Sequence, residues 1–75
     1  MNTYYFTLKG SNYPFLIHGT SVFEDGGFVL VKYFDSYVFS TMIESIDKIK
    51  IEDLRGRYIT IFEKGQFLIP FPEVL

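Results

Sequence analysis

"FVLVKYFDSYVF" (residues 28–39) holds nine apolar or aromatic residues in twelve, and five of them are rings. An extended chain places successive side chains on opposite faces. Phe28, Leu30, Lys32 and Phe34 then share one face, and Val29, Val31 and Tyr33 share the other. A strand with one wet face alternates apolar and polar residues. This one does not, so both of its faces call for cover. Either it lies centrally in a strongly curled sheet, or another subunit or a partner covers one side.

Outward from this hairpin the chain is punctuated at short, regular intervals by turn formers. "NTYYFTLK" (2–9) alternates Tyr4, Phe6 and Leu8 with Thr3, Tyr5 and Thr7. "GSNYP" (10–14) is a loop. "FLIHGTSVFE" (15–24) reads as a second strand, with Gly19 marking a bulge or bend. "EDGG" (24–27) is a hairpin turn, 28–34 a third strand, "DS" (35–36) a tight turn and "YVFST" (37–41) a fourth strand. "TMIE" (41–44) has the pattern of a capping box from Thr41 to Glu44, which predicts a helical turn over 42–47. "DKIKIED" (47–53) returns to strand, with Ile49 and Ile51 inward and Lys48, Lys50 and Glu52 outward. "LRGR" (54–57) is a turn, and "YITIFE" (58–63) and "QFLIPF" (66–71) form a last hairpin around "KG". Pro70 ends that strand or puts it at an edge.

The chain contains no Ala, the best helix former, and is rich in Ile, Val, Phe, Tyr and Thr. The fold class that follows is all-β or β-rich α+β: a small antiparallel barrel or two-layer sheet of six or seven short strands, with at most one short helical turn near 42–47. Residues 1–75 make a single domain, with 70–75 as an extended tail. A domain of this size buries only about 60–65 per cent of the surface of its unfolded chain. With no Cys there is neither a disulfide nor a thiolate metal site to support it, which leaves oligomerisation.

Net charge is −2 with a pI near 5.2, which argues against an electrostatic grip on duplex DNA. "MNTYYFTLKG" has neither the basic nor the apolar region of a signal peptide, and no apolar run reaches the ~20 residues of a membrane span. The expectation is a cytoplasmic protein that does not enter a membrane.

Catalytic chemistry finds little support. His18 is the single histidine, inside a strand, so no metal site and no Ser-His-Asp arrangement is expected. The carboxylates fall mostly at turns, and no glycine-rich phosphate loop is present. No cofactor is implied. The best polar candidate is a group of four basic residues, Lys48, Lys50, Arg55 and Arg57, two of them flanking Gly56, as an anion or phosphate contact. Against it stands a solvated turn neutralised by Asp47, Glu52 and Asp53, the more ordinary use of mixed charge. The aromatic excess supplies interface candidates: Tyr33, Tyr37, Phe39, Tyr58, Phe67 and Phe71, with Leu75.

Three functions fit these residues. The first is a non-enzymatic protein-interaction module that forms homo-oligomers or binds and blocks another protein. Phe, Tyr and Ile have AT-rich codons, which fits a phage or mobile element carrying an inhibitor of a host protein. The second is a homo-oligomeric binder of a nucleotide-like small molecule, with rings stacked on the base and the basic group on phosphate. The third and weakest is an RNA-binding barrel. The run from Phe15 to Ile46 has the order of an Sm-like barrel (bent strand with a glycine, hairpin, strand), without a matching signature and with a shortage of basic loops.

Overall fold

The structure, a computed structural model, describes residues 1–68. Its strands are β1 (Asn2–Leu8), β2 (Phe15–Gly19), β3 (Ser21–Asp25), β4 (Phe28–Tyr33), β5 (Ser36–Met42), β6 (Ile46–Glu52), β7 (Tyr58–Glu63) and β8 (Gln66–Phe67), with a 3₁₀ turn at Ile43–Ser45. They form two antiparallel sheets, one ordered β2-β1-β6-β7-β8 and the other β3-β4-β5. The protein is small and all-β, as its composition requires. Among the described residues no helix is long and apolar enough to cross a membrane.

Turn chemistry sets the local connections. Gly26 and Gly27 both take positive φ (60° and 85°) between β3 and β4, the backbone that a two-residue hairpin needs. Lys64 and Gly65 do the same between β7 and β8. The turn between β4 and β5 falls at Phe34–Asp35, one residue before the expected "DS". Phe34 occupies the left-handed region at φ 56°, uncommon for so bulky a residue. Its N–H donates to Thr20 Oγ1 at 2.9 Å, which holds the turn against the bend between β2 and β3.

Period-two alternation selects the core. Tyr4 and Phe6 from β1, Val22 from β3, Val29 and Val31 from β4, Ile46, Ile49 and Ile51 from β6, and Ile61 and Phe62 from β7 form one buried cluster shared by both sheets. Each such side chain contributes about 2 kcal/mol by leaving water. Strict alternation would turn Ile46 away from Ile49 and set Ile61 against Phe62. Register shifts between Thr7/Leu8 and between Ile49/Lys50 leave Asp47 and Ile61 as extra residues, so Ile46 stays inward with Ile49, and Ile61 with Phe62. A third shift, opposite Val31/Lys32, makes Val38 the extra residue of β5.

Four sequence expectations need correction. Residues 15–24 are not one strand: β2 belongs to the five-stranded sheet and β3 to the three-stranded sheet. The chain changes sheets at Gly19–Thr20, and the reason for the glycine is space. A Cβ on Gly19 would lie 2.5 Å from Val31 Cγ1 and 2.8 Å from the Lys32 carbonyl oxygen. The capping box does not form, because Met42 occupies the cap with no side-chain bond. The helical turn is therefore a 3₁₀ turn of three residues, held instead by backbone: Ile43 N–H donates to Gly27 O (3.0 Å) and Lys9 N–H to Ser45 O (2.9 Å). The last strand covers only Gln66–Phe67. Leu68 follows it outside any strand, with its N–H donating to Ile61 O. The remainder of the expected strand and the tail at 70–75 lie outside the described residues.

Candidate functional site

The two sheets turn their inner faces to the shared core, so each presents one outer face. The outer face of β3-β4-β5 follows from register. With Val22, Val29 and Val31 inward, Phe23, Phe28, Leu30 and Lys32 point outward, and β5 sets Met42 opposite Phe28 and Tyr37 opposite Lys32. Phe28 is 45% exposed, Met42 50% and Tyr37 63%, and Val38 is exposed beside them. Phe23 and Tyr37 approach to 6.5 Å between ring centroids, and Lys32 Nζ lies 5.3 Å from the Tyr37 centroid. Apart from Ser40 opposite Leu30, the face is apolar between two charged ends: Lys32 beside Ser21 at one, and Asp25 beside Phe28 at the other. Thus β4 is central in its sheet, and of its outward residues Phe28 is exposed while Leu30 and Lys32 are half-buried.

The outer face of the five-stranded sheet has the opposite character. Thr3, Tyr5 and Thr7 of β1 lie beside Glu52, Lys50 and Lys48 of β6, and Tyr58 of β7 lies opposite Glu52. The Tyr5 hydroxyl donates to Glu52 Oε1 at 2.7 Å, and that bond holds the phenol well above its ordinary pKa. The Tyr5 and Tyr58 rings meet edge to face at 5.0 Å. Thr3 Oγ1 and His18 Nδ1 lie 3.2 Å apart, within hydrogen-bonding distance, so the single histidine is joined to a neighbouring strand. A cleft of about 420 Å³ opens on this face between Tyr5, Thr7, Lys48, Lys50 and Tyr58, with Pro14 on one wall and Asp47 also lining it.

The basic candidates divide. Lys48 and Lys50 line the cleft. Arg55 and Arg57 belong to a turn organised by Asp53, whose Oδ1 accepts the backbone N–H of both arginines at 2.8 Å. Asp53 Oδ2 accepts from Arg57 Nε at 2.9 Å. These bonds, led by the Arg57 backbone N–H, hold the Asp53 carboxyl below its ordinary pKa.

The aromatic candidates divide as well. Tyr37 stands on the apolar face, Tyr33 at the end of β4 beside Phe34, and Tyr58 on the polar face. Phe39 and Phe67 are half-buried and pack against the core: Phe39 on Phe6 (5.1 Å) and Phe15 (5.3 Å), and Phe67 on Phe62 (5.1 Å). Phe71 and Leu75 lie outside the described residues. Phe23, Phe28 and Met42 on one face, and Tyr5 and Thr7 on the other, are additions that only strand pairing reveals. Comparison with known proteins returns no match: no family model, no curated protein and no solved structure aligns with this chain.

Proposed function

We propose that this chain is a protein-interaction module rather than an enzyme, and that it works as a homodimer joined through the outer face of β3-β4-β5. The observation that carries this reading is the apolar belt on that face, in which Phe28, Tyr37 and Met42 are exposed and Phe23 and Leu30 are half-buried. Contiguous exposed apolar surface on a small domain marks an interaction site, and small domains gain stability by association.

Charge placement selects a second copy as the occupant. Lys32 and Asp25 stand at opposite ends of the same face. A two-fold axis lying between two such faces and running across the strands reverses strand direction. It sets Lys32 over Asp25 of the partner subunit twice, with the apolar belts in register between them. The face is thus complementary to itself, as an isologous contact requires. A foreign protein target, the expectation for a mobile-element inhibitor, would compete for the same face.

The test is sedimentation velocity of the full chain from about 5 to about 200 µM, where a small interface of ordinary quality dissociates. The wild-type chain moves from monomer to dimer across this range. Leu30→Glu stays monomeric with an unchanged circular dichroism spectrum. Lys32→Glu weakens the dimer, and Lys32→Glu with Asp25→Lys restores it. A wild-type chain that remains monomeric throughout, or a Leu30→Glu dimer as tight as wild type, overturns the proposal.

A further inference from the structure

The geometry points to a second and separate site: the cleft on the outer face of the five-stranded sheet binds a phosphate monoester that carries a planar ring, of the nucleoside monophosphate class. Five observations converge on it. The cleft volume of about 420 Å³ lies within the range of small-molecule sites and suits a ligand of this size. Lys48 and Lys50 both line it from β6, with Ile49 between them turned into the core. Residues two apart on a strand stand about 6.5–7 Å apart on one face, so both ammonium groups can reach a single phosphate. Neither lysine has an ion pair among the described residues, where Arg57–Asp53 is the one bridge.

The aromatic wall is set in advance. Tyr5 is fixed by its bond to Glu52, which places that carboxylate on the phenol rather than on a lysine. Tyr5 in turn meets the Tyr58 ring edge to face, and Tyr58 remains 57% exposed. A ring in this position offers a stacking surface for a base without a large ordering cost. Pro14 adds a stiff apolar wall, and Thr7 a hydroxyl.

Charge sets the phosphate count. A monoester carries about −1.5 to −2 near neutral pH, and the two lysines match it. Asp47, on the same cleft, opposes further negative charge. The site therefore takes a monophosphate in preference to a triphosphate. This ligand contact needs neither the apolar face nor a second copy, so it stands or fails apart from the dimer.

The experiment is an amide ¹H–¹⁵N titration of the full chain with adenosine 5′-monophosphate, adenosine, adenosine 5′-triphosphate and inorganic phosphate as separate probes, at low salt and again with added salt. The monophosphate moves the amides of Tyr5, Thr7, Lys48, Lys50 and Tyr58 to saturation. Adenosine and inorganic phosphate each bind at least about tenfold more weakly, since each lacks one of the two contacts. The triphosphate binds no more tightly than the monophosphate. Added salt weakens binding, because the phosphate contact is a charge pair near the surface. Lys50→Gln and Tyr58→Ala each lower the affinity about tenfold while retaining the dispersed spectrum of the folded chain. Three outcomes each overturn the inference: no saturating shift at the cleft up to about 10 mM monophosphate, far above the useful range of a specific site; inorganic phosphate binding as well as the monophosphate; or Lys50→Gln and Tyr58→Ala binding as wild type does.

Discussion

The two sheets contribute to one core and then part company at their outer surfaces. On β3-β4-β5 the outward residues are mostly apolar, Phe23, Phe28, Leu30, Tyr37 and Met42 around Ser40, with one charge at each end. On the five-stranded sheet they are threonines, tyrosines, lysines and a glutamate, and the tyrosine hydroxyl has a carboxylate partner. The difference is one of self-sufficiency. On the polar face Tyr5 bonds Glu52 and Thr3 lies within hydrogen-bonding distance of His18. The apolar face leaves rings in contact with water and gains from any surface that removes them from it. One small chain thus carries one mostly apolar and one mostly polar outer face.

The strongest way to break the comparison is to remove the pivot between the sheets. Gly19→Ala forces a methyl group against Val31 Cγ1 and the Lys32 carbonyl, and neither can yield without moving β4. Overpacking of this kind costs roughly 3 kcal/mol, a fall in melting temperature of roughly 15 °C for a chain of this size, read by thermal denaturation. A variant that melts within a few degrees of wild type would show that the two sheets can shift past each other.

The next effect is smaller in stability and larger in assembly. Phe28→Lys on the apolar face abolishes the dimer in sedimentation while the isolated fold changes by about 1 kcal/mol or less, as for other exposed positions. Comparable loss of fold and dimer together would mean that Phe28 belongs to the core. The matching change on the polar face is Tyr5→Phe, which deletes the bond to Glu52 and frees that carboxylate. It lowers the melting temperature by a few degrees and leaves the dimer intact, so sedimentation of the two variants side by side separates the faces.

The smallest effect concerns the β6–β7 turn. Asp53 is held below its ordinary pKa in the folded chain, first by the Arg57 backbone N–H. A depressed carboxyl binds its proton more weakly when folded than when unfolded, so its stabilising effect is full above the ordinary carboxylate pKa and disappears as pH falls through the depressed one. On acidification the Arg55 and Arg57 amide resonances therefore move below the ordinary carboxylate range. In Asp53→Ala they do not follow that titration. Amide resonances in the wild-type chain that titrate at the ordinary value would show the turn to be unorganised in solution.

Much of the fold was legible because turn chemistry and alternation act over a few residues. "EDGG", "KG" and the Tyr4-Phe6 and Ile49-Ile51 alternations each place strands and core faces without reference to the rest of the chain. The split of residues 15–24 was not legible. Gly19 is demanded by the approach of Val31 and Lys32, a contact across 12 or more positions, and its own φ gives no sign of it. The three register shifts were hidden for a similar reason, since an extra residue shows only against its partner strand. The same limit divides the candidate sites. Lys48 and Lys50 are paired by their own spacing, and Arg55 and Arg57 by Gly56. Tyr5 joins Lys50 and Tyr58 only through the pairing of β1, β6 and β7, and Phe23 joins Tyr37 only through β4. Composition does not say which way a ring points, so the packing of Phe39 on Phe6 and Phe15 and of Phe67 on Phe62 shows only in the fold.

The pairing of β1 with β6 also has a kinetic meaning. It brings Tyr5 to Glu52, 47 positions apart, across everything that lies between. The hairpins β3-β4 and β4-β5 close over two-residue turns and lose little loop entropy, whereas β1, paired locally with β2 on one edge, must wait for β6 to fill the other. The three-stranded meander and the β1-β2 pair can each close locally, but the inner valines of the meander stay uncovered until β6 joins β1. Conservative substitutions at Val29 or Val31 should therefore slow folding, while those at Ile51 should mainly speed unfolding; stopped-flow kinetics in denaturant reads the difference, and the reverse pattern would place β1-β6 in the folding nucleus.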